Sequence, residues 1–315
     1  MILEKKFEDL ILNVSSRAAL SAKYLVGKKD KIAADKAAVD AMRSQLNKID
    51  MNGEIVIGEG ELDEAPMLFI GEKVGTSNGP FLDIAVDPLE GTNFAANNLP
   101  GALAVIAVAN QNNLFNAPET YMNKISANVR EKGIVDLDFT VKENIYNLCE
   151  YKNKKPNNTT VCLLERPRHK KIIEELKKLE VNLKLITDGD VSGALLVTDE
   201  KYNVDLFMGI GGGPEGVLAA SALDSFGCYF QGRFIFDNEK DINRATKMGI
   251  KDLKKKYNLN EIIKGDSIFC ATGITSSDLV RGVNIHDNKY TTETLVTHKS
   301  SKLSKIFTRE DIIKT

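Results

Sequence analysis

Two short stretches of this sequence each deliver carboxylates from the end of an apolar run into a glycine-bearing turn. In Asp83-Ile-Ala-Val-Asp-Pro-Leu-Glu-Gly-Thr92, Ile84, Ala85 and Val86 suit a strand buried on both faces. Asp87 then falls at the strand's end, where Pro88 removes a backbone donor and interrupts the ladder. Gly91 permits a tight bend that aims Asp87, Glu90 and the Thr92 hydroxyl at a common point. Amides near Gly91 and Thr92 are placed to receive an anion, so the chemistry suggested is a cation held against a phosphate. The same residues also suit a strand followed by an Asp-Pro turn with solvated acids, because turns favour Asp, Pro and Gly for local reasons. On this segment alone both readings stand.

The second stretch, Glu54-Ile-Val-Ile-Gly-Glu-Gly-Glu-Leu-Asp-Glu64, repeats the plan of apolar strand, glycines, then acids. Glu59 sits between Gly58 and Gly60, and Glu61, Asp63 and Glu64 follow. Like charges about 4 Å apart repel by roughly 4 kcal/mol at an effective dielectric of 20, so a converged cluster needs cations or protons. Divalent ions are the simpler answer. Acids also favour a helix N-terminus, and Glu64 reads as opening a helix that continues through Met67 to Val74. Glu61 and Asp63 stay open as candidate catalytic acids.

These acids must be positioned by the elements around them. Phe7, Leu10, Ile11, Val14, Ala18, Ala22 and Leu25 recur at three and four residues, predicting a helix over residues 4–26 that ends near Gly27. A second helix is expected over Asp35 to Asn47, buried through Ala34, Ala38, Met42 and Leu46, with Asp35 beside its N-terminus. Strands are expected at 54–58, 82–87 and 102–109, the last an unbroken apolar run suited to a central position. The polar run Lys152-Asn-Lys-Lys-Pro-Asn-Asn158 reads as the boundary between an N-terminal subdomain, 1–157, and a C-terminal one, 158–315. After it, strands at 159–164, 183–186 and 204–210 alternate with helices at 168–179, 190–197 and 215–225, predicting a mostly parallel α/β layer. Lys251 to Lys264 reads as a charged surface helix.

Composition narrows the class. The chain has 315 residues, is 43% hydrophobic and 27% charged, and has a formal charge of −2, which fits a globular chain with two cores and argues against a nucleic-acid surface. No apolar stretch reaches bilayer length, so no membrane partner and a cytoplasmic address are expected, and the Asn-x-Ser/Thr triplets at Asn13, Asn157 and Asn158 read as chance matches. Cysteines 149, 162, 228 and 270 show no Cys-x-x-Cys pairing and read as small core residues. With three histidines, no two at helical spacing, any metal is expected to be held by oxygen, which suits Mg²⁺ or Mn²⁺.

Two other spellings name rival functions. Gly211-x-Gly-x-x-Gly216 follows a strand and opens a helix, as in a nucleotide-binding oxidoreductase. Pro214 and Glu215 weaken that reading, since a carboxylate at the helix start repels a pyrophosphate. Gly75-Thr-Ser-Asn-Gly79 spells a nucleophile elbow, but it enters a strand where that elbow must enter a helix.

The segments Gly58-Glu-Gly-Glu-Leu-Asp-Glu-Ala-Pro-Met67, Asp83 to Thr92 and Gly211-Gly-Gly-Pro-Glu-Gly216 resemble the class II fructose-1,6-bisphosphatases, bacterial enzymes of the lithium-sensitive sugar-phosphatase superfamily. The likeness takes in Asp35 to Arg43, Asn116 to Met122, Arg166-Pro-Arg-His169, Asp188-Gly-Asp190, Ala271 to Thr275 and Thr291 to Leu295, colinear along nearly the whole chain. It implies a five-layer α-β-α-β-α sandwich. It makes Asp35, Glu59, Asp87, Glu90 and Glu215 the ligands of Mn²⁺ or Mg²⁺, and places Thr92 beside the reacting phosphate, where it helps orient the attacking water. Glu90, Gly91, Thr92, Tyr121, Arg166, Pro167, Arg168, Asp188, Gly189, Asp190 and Gly212 are implied to bind the sugar and its phosphates. The implied reaction is hydrolysis of the 1-phosphate of fructose 1,6-bisphosphate by a homo-oligomer, a dimer or tetramer, with sedoheptulose 1,7-bisphosphate an alternative substrate. Two departures from the pattern stand out: Ile32-Ala-Ala34 before Asp35, where the family often carries polar residues, and Arg166, where a lysine is frequent. His169, beside the arginines, reads as part of a solvated turn.

Overall fold

The computed structural model describes residues 2–60 and 67–313. The chain divides into two compact units, one formed by Met1–Asn116 with Ile263–Thr315 and the other by Ala117–Ile262.

In the first unit, α1 (Lys6–Lys23) buries Phe7, Ile11, Val14, Ala18 and Ala22 as the periodicity predicts. Helix α2 (Lys31–Leu46) begins a turn earlier than expected, because the Asp30 carboxylate accepts the Ala33 amide at 2.9 Å and caps it. Asp35 therefore lies inside the helix, not beside its start. Strands β1 (Asn52–Ile57), β2 (Lys73–Val74) and β3 (Phe81–Glu90) follow, then α3 (Thr92–Ala96) and β4 (Leu103–Asn110). The helix expected up to Val74 does not form over Met67–Val74. Leu68 takes a φ of 54° and its amide is bound by the Glu72 carboxylate, so the segment bends into β2.

The second unit runs β5 (Tyr121–Ala127), α4 (Val141–Lys152), β6 (Thr160–Leu164), α5 (Lys170–Lys178), β7 (Asn182–Ile186), α6 (Asp190–Leu195), β8 (Leu206–Gly212), α7 (Gly213–Phe226), β9 (Tyr229–Ile235), α8 (Glu239–Lys247), β10 (Tyr257–Asn258) and α9 (Leu259–Ile262). The chain then returns to the first unit as β11 (Ser267–Gly273), β12 (Asn284–His286), β13 (Lys289–His298) and β14 (Leu303–Ile312). Among the described residues this gives two sheets, ordered β12-β13-β11-β4-β3-β1-β2 with β14 on β13, and β10-β9-β5-β8-β6-β7. Each unit closes over its own core, around Ile84, Ile106 and Ile268 in the first and Ile125, Val161 and Leu206 in the second. The chain is a mixed α/β protein of two sheets with their helices.

Three expectations about organisation are corrected. The boundary is not at Lys152–Asn158: that run joins α4 to β6 inside the second unit, where Lys152 and Lys154 both pair with the buried Asp205 at 2.9 and 2.7 Å. Division at residues 157 and 158 also fails because β11 inserts between β4 and β13, completing the first sheet from the far end of the chain. The second sheet is mixed. Strands β6, β7 and β8 are parallel, but β5 pairs antiparallel with both β8 and β9, and β10 with β9. Lys251–Lys264 is not a surface helix either. Tyr257 is buried in β10, paired with Gly232, and Lys256 is drawn into ion pairs with Asp136 and Asp138. No helix among the described residues is long and apolar enough to cross a membrane.

Candidate active site

In the first unit, sheet register brings the two acidic turns to one edge. β1 runs parallel to β3 with Ile57 opposite Ala85; Glu59 follows two residues past the end of β1, and Asp87 lies two residues beyond Ala85 on β3. The two acids thus follow the carboxyl-terminal parts of neighbouring strands. Beyond Asp87, Pro88 does not end the ladder as expected. It makes an irregularity, and pairing resumes at Glu90, opposite Leu103. Gly91 follows with a φ of 77°, a left-handed turn open to glycine, and Thr92 begins α3. Glu90 is buried, while Asp87 and Thr92 are half-buried. Helix α2, which carries Asp35, packs on β3 and α3, and burial raises the pKa of the Asp35 carboxyl. Gly58 faces protein, not ligand: a Cβ there would lie 1.9 Å from the Leu68 carbonyl oxygen. Glu61 and Asp63 lie outside the described residues.

In the second unit, the candidate substrate residues follow the carboxyl ends of β6, β7 and β8, the edge where open parallel sheets place their ligands. Arg166-Pro167-Arg168 follows β6, Asp188-Gly189-Asp190 follows β7, and Gly212 ends β8, opposite Tyr121 of β5. The Arg168 guanidinium donates from Nε and Nη2 to the Ile210 carbonyl at 3.0 and 2.9 Å and stacks 4.7 Å above the Tyr121 ring. That grip leaves the outer guanidinium edge, with its parallel N–H groups, to meet a phosphate. Arg166 Nη2 lies 3.9 Å from Asp188 Oδ1.

The glycines of Gly211-Gly-Gly-Pro-Glu-Gly216 are explained by what lies on them. A Cβ on Gly211 would stand 1.9 Å from Asp190 Oδ2, and one on Gly212 1.8 Å from Glu215 Oε2. Carboxylates occupy the space that a dinucleotide's pyrophosphate needs, so the oxidoreductase reading loses its main support. Asp190 is buried and Glu215 half-buried, and the buried oxygens Glu215 Oε2 and Asp190 Oδ1 have no hydrogen-bond partner among the described residues. Burial raises the Glu215 pKa, opposed by the charge of Lys124. A buried carboxylate oxygen of this kind fits a hard cation, as does a candidate ligand set made entirely of oxygen donors. Among the described residues no group of three or more His, Cys, Asp or Glu side chains closes around one point by itself. Four of the expected ligands belong to the first unit and Glu215 to the second.

Sequence reasoning missed two residues here. Lys124, on β5, is almost fully buried, ion-paired with Asp190, and donates to the Gly212 carbonyl at 2.7 Å. His169 is not solvated but wholly buried. Its Nε2 accepts the Ile210 amide at 2.7 Å, and its Nδ1–H therefore donates to the Leu164 carbonyl at 2.6 Å. His169 and Arg168 thus grip both backbone groups of Ile210. A lysine in an alternating strand and a histidine after Arg-Pro-Arg carry no local signal for such partners.

Desolvation holds the His169 pKa below its ordinary 6.5, with the Arg168 charge adding to the effect. The unfolded chain therefore takes up a proton first as pH falls. Stability from this group is whole above about pH 6.5 and drains at up to about 1.4 kcal/mol per unit as pH drops toward the folded-state value. Urea melts at pH 7.5 and 5.5 are expected to lose less between those conditions in His169→Gln than in the unaltered chain. An equal loss in both would show that His169 stays uncoupled from folding.

The first unit carries acids at strand ends, and the second carries arginines and carboxylates with unpartnered oxygens at its own strand ends. Sequence comparison supplies the class. The family described as bacterial fructose-1,6-bisphosphatase, glpX-encoded, matches residues 6–311. The D-fructose 1,6-bisphosphatase class 2/sedoheptulose 1,7-bisphosphatase of Prochlorococcus marinus (strain MIT 9515) is 42% identical over 300 residues, 91% of this chain and 90% of that protein. The protein of the same description from Trichodesmium erythraeum (strain IMS101) is 39% identical over 320 residues, 94% and 93% of the two chains. A solved structure, the extragenic suppressor protein suhB from Bartonella henselae, superposes with a TM-score of 0.37 at 9% identity over 69% of this chain and 83% of that one, too loosely to bear on the assignment. The chain belongs to the bacterial, class II fructose-1,6-bisphosphatase family and is an enzyme of that family.

Proposed function

We propose that this chain hydrolyses the 1-phosphate of fructose 1,6-bisphosphate to fructose 6-phosphate and phosphate, in the cytoplasm, as a homo-oligomer serving gluconeogenesis and glycerol use. The observation that carries the reading is the parallel pairing of β1 and β3, the strands that lead into the two acidic turns, in a chain whose family match runs from residue 6 to 311. Asp35, Glu59, Asp87 and Glu90, together with Glu215, would hold Mn²⁺ or Mg²⁺. When bound, such a cation supplies neutralisation of the phosphate oxygens and a lowered pKa for water. Thr92 would orient the attacking water, with Glu61 and Asp63 taking up its proton. The outer edge of Arg168, with Arg166 on the Pro167 turn, would clamp phosphate, while Tyr121, Asp188, Gly189, Asp190 and the Gly91 and Gly212 amides position the sugar.

A second substrate is favoured by one observation: both relatives carry the sedoheptulose 1,7-bisphosphatase description as well. Phosphate release from each bisphosphate tests both readings. With Mn²⁺ or Mg²⁺ turnover is expected, with chelator at least about a thousandfold less, and with lithium partial inhibition. Full activity in chelator would overturn the metal assignment. Absence of release from fructose 1,6-bisphosphate under all conditions would overturn the function.

A further inference from the structure

The second unit buries a cation that the proposed hydrolysis leaves without a task. Lys124 is 1% exposed, and its stem runs over Gly216, where a Cβ would come within 3.1 Å of Lys124 Cδ. Burying an ammonium is costly unless anions and acceptors surround it, and the ones here belong to the candidate site. Asp190 Oδ2 pairs with Nζ, and the Gly212 carbonyl accepts from it at 2.7 Å. Glu215 feels its charge. One lysine thus stands against two carboxylates lying on adjacent glycines, each with one buried oxygen lacking a hydrogen-bond partner among the described residues.

We propose that Lys124 is a positioning residue: by pinning Asp190 Oδ2 and the end of β8, it turns Asp190 Oδ1 toward a sugar hydroxyl and sets the net charge beside Glu215. The proposal rests on the reading of Asp190 as a substrate contact and Glu215 as a metal ligand. It separates sugar affinity from cation affinity. Without the lysine, Asp190 loses its orientation, so the sugar phosphate binds more weakly. Glu215 at the same time loses a neighbouring positive charge, so a divalent cation binds as well as before or better. A lysine needed only for folding would weaken both together.

The test uses the full chain with Lys124→Met, close in length and uncharged, and Lys124→Gln, which keeps a donor. Calorimetry measures binding of fructose 6-phosphate, which is not turned over, and separately of Mn²⁺ to the resting protein. Fructose 6-phosphate is expected to bind about tenfold or more weakly in Lys124→Met, the scale of a lost hydrogen bond to a charged group. Mn²⁺ should bind at least as tightly as in the unaltered chain. Adding Asp190→Asn to Lys124→Met should weaken sugar binding no further than Asp190→Asn alone, since both act through one carboxylate. Unchanged sugar binding, a parallel loss of Mn²⁺ and sugar, or failure of both variants to fold would overturn the proposal. Absent phosphate release from the unaltered enzyme would sink the hydrolase reading alone, because these binding measurements need no turnover.

Discussion

Asp87→Asn is expected to reduce phosphate release from fructose 1,6-bisphosphate by at least about a thousandfold, the order lost when charge stabilisation at a phosphoryl centre is removed. The substitution keeps the size and planarity of the side chain, so it deletes charge without opening a cavity. The backbone at this point is held by pairing to Val105 and, beyond the Pro88 irregularity, by Glu90 to Leu103, neither of which uses the carboxylate. The residue is half-buried, so stability should move by no more than about 1 kcal/mol. Loss of turnover should therefore appear with a thermal melt shifted by no more than about 4 °C and weakened Mn²⁺ binding. Undiminished phosphate release from the folded variant would remove Asp87 from the chemistry.

The strand that carries Asp87 was legible because an apolar run and the glycine after it spell their geometry over a few positions. The same grammar made α1, β1, β3 and β4 readable, and β6, β7 and β8 with their helices. What could not be read depends on partners far along the chain. The second sheet is mixed because β5, which precedes the α/β alternation, inserts between β8 and β9. The boundary moved because the first sheet needs β11 to pair with β4. Lys251–Lys264 has the composition of a solvated helix, yet its Lys256 answers both Asp136 and Asp138 and its Tyr257 is buried. The candidate acids were picked out through their neighbouring glycines. Lys124 and His169 were not, since an ammonium facing Asp190 and an imidazole facing Ile210 exist only once the strands are paired.

Gly212→Ala is expected to lower kcat/KM about a hundredfold or more while leaving the fold in place. Gly212 has a φ of −67° and ψ of 144°, an extended conformation that alanine adopts freely, so the backbone contributes no strain. The obstacle is the added methyl group, which would stand 1.8 Å from Glu215 Oε2 and 2.5 Å from its Cδ. One of the two must move, and the carboxylate is the mobile end of a three-bond side chain in the first turn of α7. Its displacement should cost the fold little and the site its cation, since Mn²⁺ binding falls when a ligand is pushed out of place. Gly227→Ala is the contrasting change. Gly227 caps the same helix with a φ of 68° and nothing within 4 Å of a Cβ, so alanine there strains the backbone alone. It should lose about 1 kcal/mol of stability and keep full turnover. Opposite effects of one methyl group at the two ends of α7 would assign Gly212 to the site and Gly227 to the fold. Normal Mn²⁺ binding and turnover in Gly212→Ala would show that the Glu215 carboxylate has no part in the chemistry.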